Sequence, residues 1–97
     1  MYIIIKVDKK KSSEIDELYR DDIVSRQSII KREGISLDLK DDSIYILVEG
    51  GDEGINRAKE IAGKFGEILP KNEMEEIYKK FKAQDESSLE GMGSIFG

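Results

Sequence analysis

Asp38, Asp41 and Asp42, with Glu49 further on, come nearest to a recognisable chemistry. Acids fall at positions one, five and twelve of a calcium loop, where oxygen ligands are wanted. Lys40 stands at position three, which calls for Asp or Asn, and Ser43 at position six, which calls for Gly. Ser43 to Glu49 also reads as a strand rather than as a loop entering a helix. Asp in a turn satisfies nearby backbone amides, so a hairpin turn is the preferred reading. The expectation is no metal and no cofactor, with weak binding of a hard cation by Asp38, Asp41 and Asp42 as the alternative.

Gly50-Gly51-Asp52-Glu53-Gly54 lies between a strand pattern and a helix pattern, where glycine-rich loops cradle phosphates. Asp52 and Glu53 oppose an anion there. The spacing matches neither the dinucleotide nor the P-loop fingerprint, so a tight turn with Asp52 as helix N-cap is expected. The chain has neither His nor Cys. It therefore lacks the commonest general base and the thiol nucleophile. Its serines form no nucleophile-elbow or Ser-x-x-Lys pattern. The reading is a protein without catalysis.

Tyr2 and Tyr45 fall on strands, as stacking aromatics do in RNA-recognition sheets, but the basic-Gly-aromatic signature is missing. The formal net charge is −5. Residues 1–40 hold nine basic and eight acidic side chains, and residues 41–97 hold seven and thirteen. A net acidic chain repels phosphate backbones, which argues against nucleic acid and anionic membranes. No run is long enough to span a bilayer. The apolar start Met1–Val7 is short and meets Asp8 at once, so no secretory leader is expected and the expected address is cytoplasmic.

The strongest pointer to function is the C-terminus. Leu89, Met92, Ile95 and Phe96 are interleaved with Gly91, Gly93 and Gly97. Glycine disfavours regular structure, and a solvated tail has no use for large apolar side chains. These four residues are the candidate partner-binding set, on a flexible tail at 85–97 that follows a single domain at 1–84.

The elements that would carry these features follow from periodicity. Tyr2–Val7 reads as a strand buried on both faces. Ser12 or Ser13 caps a helix with Ile15, Leu18, Tyr19 and Ile23 on one face. Ile35, Leu37 and Leu39 alternate with Ser36 and Asp38 and predict a strand forming a hairpin with Ser43–Glu49. Ile55, Ala58, Ile61, Ala62 and Phe65 stripe a second helix, with Gly66 in the place of a C′ residue. Glu67–Pro70 is a short edge strand. Asn72-Glu73-Met74-Glu75 opens a third helix striped by Met74, Ile77, Tyr78 and Phe81. Ile4, Ile46, Ile55, Ile61 and Phe65 are expected to share one core.

The order is β-α-β-β-α-β, the ferredoxin-like arrangement in an α+β protein, with an extra C-terminal helix and tail. That order, with Ile-Leu-Val-Glu-Gly-Gly-Asp-Glu-Gly-Ile (46–55) and Gly-Met-Gly-Ser-Ile-Phe-Gly (91–97), resembles small archaeal proteins of the methanogen type. The resemblance carries over no functional residue. The expected role is a small non-catalytic interaction or regulatory module that binds a partner protein, or itself as a homodimer, through its sheet and tail. The alternatives are an ACT-like domain that binds a small molecule and an acidic calcium-binding protein.

Overall fold

β1 (Tyr2–Val7) sends Ile3, Ile5 and Val7 to one face of the sheet and Ile4 to the other, and all four are buried. It pairs antiparallel with β3 (Ile44–Glu49), placing Ile5 opposite Ile46 and Lys6 opposite Tyr45. β2 (Ser28–Glu33) pairs antiparallel with the other side of β3, and the short β4 (Glu67–Ile68) with the other side of β1. The result is an α+β protein with a four-stranded antiparallel sheet in the order β2-β3-β1-β4. In this computed structural model the chain is described through Phe96, and side chains are described for residues 1–84.

Two helical segments cover the first face. A 3-10 turn at Lys9–Ile15 leads into α1 (Asp16–Arg20), and α2 spans Asp52–Ala62. Ile15, Leu18, Val24, Ile55, Ala58, Ile61, Ala62 and Phe65 pack there on Ile3, Ile5, Val7, Ile46 and Val48. The expected single core thus holds with one correction. Ile4 belongs to the opposite face, because neighbouring strand residues point to opposite sides.

α3 (Lys71–Phe96) covers that opposite face. Phe81 is buried with Ile4, Leu37, Tyr45, Leu47 and Leu69, and Met74, Ile77 and Tyr78 pack against them. The Ile4 amide donates to Met74 Sδ at 3.2 Å. Tyr78 stacks on Tyr2 with ring centroids 4.2 Å apart. Glu49 accepts from the Tyr78 hydroxyl and from Lys82 Nζ. The cover that two apolar central strands require is therefore supplied within the chain.

Several local expectations change. The 3-10 turn before α1 is opened by Asp8, whose Oδ1 accepts from the Lys10 amide, and α1 itself follows Ile15 without a side-chain cap, so neither Ser12 nor Ser13 caps a helix. Gly51, not Asp52, is the N-cap of α2, and Asp52 is its first residue, where its charge suits the helix dipole. α2 ends at Ala62 with Gly63 as its C-cap, ahead of Gly66. Gly66 is needed for closeness: a Cβ there would lie 2.9–3.0 Å from Ile5, Lys6 and Val7. The largest change is at residues 34–39. The strand lies earlier, at Ser28–Glu33, and Gly34–Leu37 is a 3-10 turn ended by Asp38 in the left-handed region at φ 62°. Leu37 and Leu39 still reach the core, while Ile35 is 64% exposed.

Candidate functional site

Both faces of the sheet are covered, so the open features are its edge, its ends and the loops. The edge is β2. Gly34 donates to the Ser43 carbonyl and Gly50 to the Met1 carbonyl, which fixes the phase of both ladders. Antiparallel bonding alternates along a strand. Ser28, Ile30 and Arg32 therefore bond to β3, and the backbone groups of Ile29, Lys31 and Glu33 point outward. Among the described residues no strand lies beyond them. Arg32 Nη1 donates to the outward Lys31 carbonyl at 2.8 Å, and Arg32 Nε to Gln84 Oε1. Gln84 in turn donates to the Ser36 carbonyl. The edge carries two partly buried isoleucines and exposed Lys31, Arg32 and Glu33.

At one end of the sheet lies a cleft of about 500 Å³, lined by residues including Lys6, Lys11, Ser43, Lys64 and Glu67. Next to it, sharing Lys6 and Ser43, is a network that sequence reasoning did not identify. Asp41 Oδ1 accepts from the Ser43 amide at 2.8 Å, and Oδ2 from Tyr45 Oη at 2.9 Å. Lys6 Nζ also lies 2.8 Å from Oδ2. The Lys6 ammonium, then the Ser43 amide, hold the Asp41 carboxyl far below the usual carboxylate range. Burial, reinforced by Asp41, pushes the Tyr45 hydroxyl up to about 12. The bond to Asp41 raises Lys6. One signal was visible in advance: Lys6 is the lone charge in an apolar strand. Its partner was not, because Asp41 is brought close only by the β1–β3 register.

The Asp41 network yields a pH prediction. A carboxylate with a depressed folded pKa stabilises the fold above its unfolded value, about 3.9, and the contribution is lost as pH falls below that. Asp41→Asn should cost about 1.5–3 kcal/mol at pH 7, the range for bonds to charged groups. The gap between variant and parent should narrow steadily below about pH 4. Urea denaturation midpoints across that range measure it, and a pH-independent gap would count against the network.

The other sequence candidates separate. Asp38 caps a turn, Asp41 is committed to its three donors, and Asp42 sits 4.0 Å from Lys9 Nζ. Among the described residues no three acidic side chains converge on a position that could hold a metal ion. At the glycine loop, the Gln27 side chain lies where a Cβ of Gly50 or Gly54 would stand. These glycines admit Gln27, which donates to the Ile23 carbonyl. Nothing local in the sequence announces that contact, since Gln27 and Gly50 belong to different loops. Tyr2 is stacked and Tyr45 is buried, so neither presents an open ring. The side chains of Leu89, Met92, Ile95 and Phe96 lie outside the described residues, as does the expected tail at 85–97 apart from the bounds of α3. Among the described residues no helix is long and apolar enough to cross a membrane.

Comparison with known proteins leaves this geometry to stand alone: no protein-family model, curated protein or solved structure matches the chain.

Proposed function

We propose that the protein is a small non-catalytic interaction module with a ferredoxin-like fold, docking a partner protein or a second copy along the free edge of β2. The fold reading is supported by the order β2-β3-β1-β4, with α1 between β1 and β2 and α2 between β3 and β4 in the chain. The docking reading is carried by one observation: a six-residue strand whose outward amides and carbonyls meet no strand among the described residues. Unpaired edges of this length are templates for another strand, and main-chain bonds supply the affinity. The face of the sheet is not the docking surface, because α3 occupies it. Leu89, Met92, Ile95 and Phe96 remain the proposed second contact.

Lys31→Pro tests the edge. Lys31 directs its amide away from β3, so proline removes no ladder bond. The variant should stay folded and lose the bound partner. Amide exchange of the parent in the complex should show protection at Ile29 and Lys31. Unchanged binding by a folded Lys31→Pro protein would refute the reading. The cleft favours a second reading, an ACT-like domain holding a small anion near Lys6, Lys11 and Lys64. The same amide map would then change at Lys6, Ser43 and residues 63–67 instead of along β2.

A further inference from the structure

We infer that the occupant of the β2 edge is β2 of a second copy, running antiparallel about a twofold axis at Ile30. This rests on the edge-docking reading and adds the identity and register of the partner.

The register follows from which backbone groups face outward. A new antiparallel ladder must pair outward residues with outward residues, here Ile29, Lys31 and Glu33. A twofold axis then falls on one residue of the strand. An axis at Lys31, Arg32 or Glu33 sets each of those charges opposite its own copy, which destabilises the pair. An axis at Ile29 overlaps only Ser28 to Ile30, and beyond it the chain turns away in the 3-10 segment Val24–Arg26.

The axis at Ile30 avoids both faults. It pairs residues 28–32 along almost the whole strand. Ile29 exchanges both backbone bonds with Lys31 of the other copy, and the twofold repeats them, giving four. Ile30 meets Ile30 of the other copy on the α3 side, extending an apolar cluster it already joins. Ser28 lies opposite Arg32. The ladder stops at Gln27, whose amide is already bonded to the Val24 carbonyl. No like charges face each other across the pairs.

Arg32 fits this scheme. In the single copy its guanidinium covers the outward Lys31 carbonyl, as the Ser36 hydroxyl covers that of Glu33 beyond the proposed ladder. On pairing, the Ile29 amide of the other copy takes the Lys31 carbonyl and Arg32 is released towards Ser28.

The absence of cysteine makes the test direct. In the proposed ladder the two Ile30 form a non-hydrogen-bonded pair, with Cα atoms about 4.5 Å apart, within the span of a disulfide. Under mild oxidation Ile30→Cys should give a covalent dimer, while Ile29→Cys and Arg32→Cys should not. A link at Ile29 or Arg32 instead would overturn the register. No link at any of the three would overturn the second-copy inference. Sedimentation of the cysteine-free protein guards against a variant that fails to fold. The parent should show a concentration-dependent dimer and Lys31→Pro a monomer. A parent that stays monomeric while Lys31→Pro still abolishes binding of a different protein would sink this inference and leave the edge reading standing. If Lys31→Pro changes neither, both readings fail.

Discussion

Phe81→Ala should cost about 3–5 kcal/mol of folding stability, the range for deleting a buried aromatic ring. Phe81 is 2% exposed and lies among Ile4, Leu37, Tyr45, Leu47 and Leu69. Among the described residues it is the largest fully buried side chain that α3 sets against the sheet. The other contacts that the described residues of that helix make with the sheet are weaker. The Lys82–Glu49 pair is partly exposed, at 41% and 29%, and exposed pairs contribute little. Met74, Ile77 and Tyr78 are only partly buried. The ring therefore carries much of the docking energy of α3, in a domain whose total stability is expected near 5–15 kcal/mol. Urea denaturation of the variant, read by far-UV circular dichroism, measures the loss. A cost below about 1 kcal/mol would mean that the cavity collapses or that α3 does not hold this face.

The importance of α3 explains why parts of the structure were legible and others were not. The strands Tyr2–Val7 and Ile44–Glu49 and the stripe on α2 announce themselves through apolar periodicity. A strand covered on both sides is apolar at nearly every position, however, so it has little alternation from which to read a face. That is why Ile4 was grouped with Ile46 and Phe65, although the pleat puts it under α3. Residues 35–39 mislead in the opposite sense. Leu37 and Leu39 are inside and Ile35 is outside, yet the spacing imitates a strand. The deciding residue is Gly34. A Cβ there would stand 2.0 Å from the Asp41 carbonyl oxygen, so this glycine marks where two segments touch and the strand ends. Ser28–Glu33 does not stand out as a strand in the sequence because an edge strand is half solvated and charged, with no strong apolar signal. The features offered as the site share that handicap. The free edge, the Asp41 network and the cleft all depend on which strands are neighbours, and sequence spacing does not encode that.

The first face can be tested in the same terms. Ile61→Ala should cost about 2–5 kcal/mol, the range for an aliphatic side chain truncated in a core. Ile61 is 6% exposed on α2, in one cluster with Ile3, Ile5, Ile46, Val48 and Phe65. Ile61→Val, which removes a single methylene, should cost about 0.5–1.5 kcal/mol, so the pair forms a graded series. The gradient separates packing from helix propensity. Ala is the better helix former, so if the helix alone mattered, Ile61→Ala would be neutral or stabilising. Val is the poorer helix former and would then be the worse variant. Packing predicts the reverse order. Ala costing more than Val, with the slope in denaturant unchanged, would place the loss in the native core. A loss under about 0.5 kcal/mol for Ile61→Ala would show that this face of α2 is not inside.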